Sequence, residues 1–242
     1  VSLGAGADTL FNTGIVTGDA DLGTGADVYR GGNGFVSGTV LGGTGNDTLI
    51  GGDATETFDG GDGEDVIRGR GGDDVIDGGD DNDFLLGNTG NDEIDGGAGL
   101  DRILGGEGAD TLRGGLEDDR VFGGDGNDEI TGGSGADRLV GGAGADTFIY
   151  TAIGQSPAAG SFDIIRDFTS GEDQIDLSSI VGPDLVFIGT GSFSGTQGEV
   201  RYSANATSGN ASVFADTDGD GVADLRIFLV NVQSLDQGDF LL

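Results

Sequence analysis

The sequence predicts an all-β protein, a parallel β-roll of nine-residue repeats with a C-terminal antiparallel β cap. Three observations predict it. Twelve consecutive nonapeptides run without a gap from Gly42 to Ile149 in the frame G-G-x-G-x-D-x-U-x, where U is apolar. Position one is Gly in all twelve, position six is Asp in eleven with Glu56 the substitute, and position eight is apolar in all twelve. Beyond Tyr150 the rhythm stops, and short apolar stretches separated by Gly, Ser and Asn take over.

The first flank, residues 1–41, holds a looser repeat. Leu3-Gly4-Ala5-Gly6-Ala7-Asp8 recurs as Leu22-Gly23-Thr24-Gly25-Ala26-Asp27. A step of 19 residues is close to two nonapeptides, one whole coil, so this flank reads as further coils with one metal-type turn each, at Asp8 and Asp27, and an unmetallated second turn. An irregular capping segment is the alternative.

In the regular array, 42–149, each unit divides in two. Six residues rich in Gly and Asp bend and enter left-handed conformations at little steric cost. Three residues with a central apolar side chain suit a very short strand. Such strands hold only when stacked, each buried side chain contributing roughly 1.5–3 kcal/mol. Two units make one turn of the coil. Asp47, Asp65, Asp83, Asp101, Asp119 and Asp137 therefore form one column, and Glu56, Asp74, Asp92, Asp110, Asp128 and Asp146 the other.

Neighbours in a column stand about 4.8 Å apart, the strand spacing. Carboxylates at that distance repel by about 1 kcal/mol per pair even in water, so the columns call for a cation between turns. Hard oxygen donors select a hard ion, and calcium accepts mixed carboxylate and carbonyl ligands. The carbonyl donors expected are the position-two and position-four glycines: Gly43, Gly45, Gly61, Gly63, Gly72, Gly97, Gly99, Gly106, Gly108, Gly124, Gly126, Gly133, Gly135, Gly142 and Gly144. Residues 42–149 carry 27 acids against 6 Arg, a net −21. Five gaps in each of two columns allow at most about ten ions, which would nearly cancel that charge. Position four departs from Gly at Ala54, Asp81 and Glu117, and position two at Arg70 and Asn88. Arg and Ala enter left-handed geometry less readily than Asn, and the turn with Ala54 and Glu56 is expected to hold the weakest ligand set. The frame resembles that of the RTX calcium-binding repeats.

The last region, 150–242, must cover the exposed end of the stack. Strands are expected at Leu185–Ile188, Glu199–Tyr202, Ala211–Ala215 and Leu225–Leu229. Asp167 and Asp173 are further candidate ligands. Asp216-Thr217-Asp218-Gly219-Asp220-Gly221-Val222-Ala223-Asp224 has the opening spacing of an EF-hand loop but Ile227 in place of its twelfth-position Glu. With strands on both sides it reads equally as a plain acidic hairpin turn or as a separate calcium site built on Asp216, Asp218, Asp220 and Asp224.

Gly144–Tyr150, the D-x-I-x-D-F segment at 163–168 and the Ile175-Asp176-Leu177-Ser178 string resemble the C-terminal domain of serralysin-type metalloproteases over roughly 42–242. Similar modules end some mannuronan epimerases and other RTX exoproteins. The resemblance implies a calcium-binding roll, secretion to the cell exterior or surface, and an uncleaved C-terminal signal for a type I secretion apparatus. The terminal Asp239-Phe240-Leu241-Leu242 resembles the family's final acid followed by apolar residues. The family's protease half has no counterpart here: there is no HExxH, and protease activity does not carry over.

Composition bounds the rest. A chain of 242 residues with 54 Gly, few apolar residues and a net charge of −34 would ordinarily be disordered, so order is expected to be conditional on metal. The acidity disfavours nucleic acid and anionic membrane surfaces as partners. The ten cationic residues are all Arg, scattered along the chain. Without His or Cys, the usual zinc, Ser-His and Cys-His arrangements are excluded. No apolar run reaches the roughly 20 residues of a membrane span. The chain opens at Val1 without a visible cleavable signal and reads as the C-terminal piece of a longer protein with an upstream domain, or as a trimmed sequence. The expected function is a calcium-driven folding and export module without catalysis of its own. The alternative is the non-catalytic end of an extracellular protease or polysaccharide-modifying enzyme with a glycan- or surface-binding role.

Overall fold

A computed structural model of the chain describes residues 1–180, 182 and 184–242. It is a parallel β-solenoid in which alternate units feed two sheets, one of thirteen strands and one of ten. The ten-stranded sheet contains Thr57–Asp62, Val75–Asp80, Glu93–Ala98, Thr111–Leu116 and Glu129–Ser134. The thirteen-stranded sheet contains Val66–Gly71, Phe84–Thr89, Arg102–Glu107, Arg120–Asp125 and Arg138–Ala143. Each strand joins the last three residues of one unit to the first three of the next, and position-four-to-six turns connect the sheets.

Register follows the repeat. Ile76 stands between Phe58 and Ile94, and Ile103 between Leu85 and Val121, all in parallel ladders. The two apolar columns meet in the narrow interior, and all twelve position-eight side chains are buried. Tyr29 and Phe58 close the N-terminal end of this core edge to face, with ring centroids 6.2 Å apart.

The N-terminal flank forms coils as its 19-residue step predicts. Thr9 pairs with Val28 and Val28 with Thr48, while Ala20 pairs with Val40. The second turn of these coils makes only a two-stranded sheet of Ile15–Val16 and Phe35–Val36.

The end of the chain is part parallel, part antiparallel. Ile164–Ile165 stacks in parallel on Arg138–Ala143, and Gln174–Asp176 on Thr147–Ile149. One more coil therefore follows Tyr150, hidden in the sequence by the inserted residues between them. The antiparallel part is Glu199–Asn205 with Asn210–Asp216 and Leu225–Leu229. Leu225–Leu229 returns to lie parallel to Ile164–Ile165, and Phe240–Leu241 lies parallel to Gln174–Asp176, so the cap adds strands to both sheets. Among the described residues no helix is long and apolar enough to cross a membrane.

Candidate metal centre

Turn geometry explains the glycines. In eleven of the twelve units, positions two and four both have positive φ. Arg70, Asn88, Asp81 and Glu117 adopt it as well, at φ between 74° and 82°, so the neighbouring coils impose the left-handed turn even on Arg70 and Glu117, which resist it more than Asn or Asp. The exception is the unit from Gly51 to Asp59, where neither Gly52 nor Ala54 is left-handed. This is the turn that sequence reasoning marks as weakest. Position one is Gly for another reason, since its φ is not positive. A Cβ on Gly42 would stand 2.6 Å from Oδ2 of Asp47 and 2.5 Å from the carbonyl oxygen of Gly60. The carboxylate of the unit occupies the space a side chain would need.

The position-six acids form two continuous columns. The amide of Asp47 donates to Oδ1 of Asp65 at 2.7 Å, Asp65 to Asp83 at 2.8 Å, Asp83 to Asp101 at 2.8 Å, Asp101 to Asp119 at 2.8 Å and Asp119 to Asp137 at 2.8 Å. The other column runs likewise from the Glu56 amide through Asp74, Asp92, Asp110 and Asp128 to Asp146. Each Oδ1 is satisfied by a backbone N–H one turn away. That is a partial answer to carboxylate repulsion which the repeat pattern does not disclose.

The other oxygen has no such answer. Among the described residues Oδ2 is buried and without a hydrogen-bond partner in fourteen aspartates, including Asp65, Asp74, Asp83, Asp110 and Asp119. Burial is the main cause raising these carboxyls, with the amide bond opposing it and neighbouring like charges, in the column or beside it, adding to it. Asp83 and Asp119 are pushed up to about 8, Asp65, Asp74 and Asp110 to about 7, and Asp47, Asp101, Asp137 and Asp146 to about 6. Asp92 and Asp128 are raised by the same burial. Two columns of buried, half-satisfied carboxylates favour protons or cations over empty ionised oxygens. The donor set is all oxygen, carboxylate with nearby main-chain carbonyl, which suits a hard divalent ion.

Asp8 and Asp27 join the first column at its N-terminal end, through bonds of 2.6 and 2.7 Å, and each has an unpartnered Oδ2. Asp163 extends the same column at the other end, accepting the Asp137 amide at 3.0 Å. It is fully buried and pushed up to about 8 chiefly by burial and the Asp137 charge, with the neighbouring Tyr150 hydroxyl opposing the rise, and no hydrogen bond of good geometry reaches its Oδ2. Sequence reasoning missed it because 26 residues separate it from Asp137. Its signal was Asp163-Ile164-Ile165, the D-x-U core of a unit without the preceding glycines.

The remaining candidates separate. Asp173 closes the second column, accepting the amides of Asp146 and Thr169, so both its oxygens are used. Glu56 opens that column, but its longer side chain turns back onto the Gly52 amide with both oxygens. Asp167 lies outside the columns and accepts the amides of Gly141 and Gly142. In the hairpin between Asn210–Asp216 and Leu225–Leu229, carboxylate oxygens of Asp216, Asp218 and Asp224 lie within 4.8 Å of one another. Asp220 stands outside that group and accepts the Val222 amide. Asp216 already accepts the Gly219 and Gly221 amides, and Asp224 the Thr217 amide and hydroxyl, which is the bonding of a self-contained acidic turn.

No curated protein matches the chain. Two solution structures are similar in part, both subunits of the Azotobacter vinelandii mannuronan C5-epimerase. AlgE6R3 shares 27% identity over 65% of this chain and 78% of its own, with a TM-score of 0.36. AlgE6R2 shares 27% identity over 69% of this chain and 91% of its own, with a TM-score of 0.41. The family model described as peptidase M10 serralysin C terminal matches residues 31–242, most of the chain and the whole regular array of acids from Asp47 to Asp146, and the chain belongs to that family.

Proposed function

We propose that this chain is the calcium-binding module of a secreted protein, folding on extracellular calcium and supporting type I secretion and the stability of an upstream domain. The observation that carries this reading is the pair of buried aspartate columns with unpartnered Oδ2 atoms. The residues that would hold the ion are the position-six aspartates together with the position-two and position-four carbonyls. Bound calcium supplies charge neutralisation between turns. The chain's own residues stack, orient the carboxylates through the amide of the neighbouring coil, and exclude water from them.

A ligand that binds the folded chain and not the unfolded one stabilises it by RT ln(1 + [L]/Kd) per site. Several sites along one stack make folding steep in calcium. A low calcium concentration then leaves the chain extended, the state in which export through a channel is sterically possible, and a high one folds it outside. The C-terminal Asp239–Leu242 would address the secretion apparatus. Catalysis is assigned to the upstream domain, because the carboxylates here are periodic and buried rather than converged on a cleft.

Far-ultraviolet circular dichroism during a calcium titration from chelator, with magnesium as control, tests this. A cooperative coil-to-β transition specific to calcium is expected. A full β signal already present in chelator at neutral pH would overturn the reading.

A further inference from the structure

The fold gathers what the sequence scatters. Eight of the ten arginines sit on strands of the thirteen-stranded sheet, Arg166 directly follows one of its strands, and only Arg113 belongs to the other sheet. Arg120 pairs with Arg102 on one side and with Arg138 on the other, so the three form an outward ladder. All three are exposed, as are Arg30, Arg70 and Arg166. From Val28–Arg30 to Arg138–Ala143, the first, third and fifth residues of these strands alternate with the inward ones and include no Asp or Glu. Half-buried Phe84, Leu104, Phe122 and Val140 lie between the arginines. The Arg102 guanidinium lies 5.5 Å from the Phe84 ring centroid and 5.6 Å from that of Phe122. Rings held against its plane still leave the N–H edge of a guanidinium for a carboxylate.

The opposite face carries the complementary charge. In the ten-stranded sheet Asp77 pairs with Asp59 on one side and with Asp95 on the other. Like charges directly opposite one another destabilise a sheet until they are countered. Glu93 and Glu129 are exposed on the same face. Its one arginine, Arg113, is taken by Glu93 at 3.0 Å, the one ion pair among the described residues. The aspartate ladder is therefore left without a cation and the arginine ladder without a carboxylate.

We infer that this chain associates with further copies of itself face to face, the arginine ladder of one on the aspartate ladder of the next. Both ladders are built on the same coils, so both advance by the same rise, about 4.8 Å per coil. A second copy with its axis parallel, displaced by about two coils or roughly 10 Å, sets Arg102, Arg120 and Arg138 opposite Asp59, Asp77 and Asp95 all at once. A charged partner of another fold has no reason to share that period. An overlap of about seven strands, each about 20 Å long, covers roughly 700 Å² per copy. The resulting total, roughly 1,400 Å², is the size of a specific interface. Phe84, Leu104 and Phe122 place apolar area between the ion pairs. Because the two surfaces differ, the contact is heterologous and does not close on itself, so it propagates as an open lateral array. The net negative charge of the chain opposes this at long range, but beyond about 8 Å physiological salt screens it. The inference does not rest on the calcium reading, though the test is run in calcium with the β signal monitored throughout.

Sedimentation velocity over a rising protein concentration tests it, at about 0.15 M salt. The wild-type chain is expected to reach at least twice the monomer mass by about 100 μM, within reach of an interface of modest affinity. It should return toward the monomer at about 1 M salt. R102Q/R120Q/R138Q and D59N/D77N/D95N should each remain monomeric. Mixed one to one, they should form a pair of twice the monomer mass and nothing larger, because the intact acidic face of the first meets the intact arginine face of the second. R113Q, which releases Glu93, should associate at least as strongly as the wild type. Phenylglyoxal labelling of the wild-type chain is the second measurement, should a triple variant fail to fold. Arg102, Arg120 and Arg138 should be labelled several-fold less in the concentrated protein than in the dilute one. A wild type that stays monomeric, a triple variant that associates alone as the wild type does, a mixture that stays monomeric, or labelling independent of concentration would each overturn the inference.

Discussion

The backbone amide of Asp119 donates to Oδ1 of Asp137 at 2.8 Å, both side chains are fully buried, and neither Oδ2 has a partner. One oxygen of each carboxylate thus holds the preceding coil, while the other is left for a cation or a proton.

That division predicts opposite effects for one substitution. In Asp119→Asn the amide oxygen still accepts the Asp101 N–H, and its NH2 stands where Oδ2 did. A buried charge without a partner is removed. In chelator the variant should be more stable than wild type, whereas in calcium it should need several-fold more metal to fold. Asp119→Ala also loses the acceptor for a buried N–H and should cost about 1–3 kcal/mol under both conditions. Chelator and calcium melts of the three proteins check this, and destabilisation of the Asn variant in chelator would sink it.

Proton linkage gives a second prediction. Burial holds Asp83 and Asp119 at about 8 and Asp65, Asp74 and Asp110 at about 7. Their ordinary value is about 3.9. A raised carboxyl means that the folded chain binds more protons than the unfolded one. The stability this provides is fully present below about pH 4 and is lost as pH rises through about 6 to 8. In chelator the β signal should therefore be greater at about pH 5 than at about pH 9. Because protons and calcium compete for the same oxygens, the calcium midpoint should fall as pH rises. A metal-free chain that gains structure with rising pH would contradict the burial of these groups.

A third prediction concerns strain. Glu117 is left-handed at φ 74°, a conformation costing roughly 1–2 kcal/mol for a residue with a side chain. Its charge also adds to the forces raising Asp101 and Asp119. Against this it accepts the exposed Gly99 amide at 3.1 Å. Glu117→Gly relieves strain and repulsion and gives up one exposed hydrogen bond, so a gain of about 1 kcal/mol is expected in chelator. A thermal melt reads the sign, and a loss of stability would show that the Gly99 bond outweighs the strain.

The roll was legible because its period is strict. Once position six is Asp and position eight apolar in every second unit, the pairing of Ile76 with Ile94 and of Leu85 with Ile103 follows from counting 18. Counting fails where residues are inserted. Asp163 and Ile165 occupy ordinary repeat positions in space, yet the insertion after Ile149 removes them from the frame. Parity was the other unread signal. Arg102, Arg120 and Arg138 differ by one coil each and Arg113 by a half-coil, so their placement on opposite faces was present in the spacing. Side-chain reach is not encoded in period at all: Glu56 occupies an Asp position, and only its extra methylene lets it fold back onto Gly52.

The last prediction concerns the end of the stack. Asp239 is fully buried and accepts the Ser170 hydroxyl, the Gly171 amide at 2.8 Å and the Asp236 amide at 2.7 Å. It therefore clamps the turn preceding Gln174–Asp176 to the final strand, where Phe240 pairs with Ile175. Asp239→Ala strands several donors at once and should cost on the order of 3 kcal/mol. In a solenoid each coil touches only its neighbours, so the loss should remain local. Hydrogen exchange should speed at Ile175, Phe240 and Leu241 and stay unchanged at Ile94 and Ile103. Uniform loss of protection along the roll would mean that the cap sets the stability of every coil. No loss at Phe240 would mean that its apolar contacts alone hold the last strand.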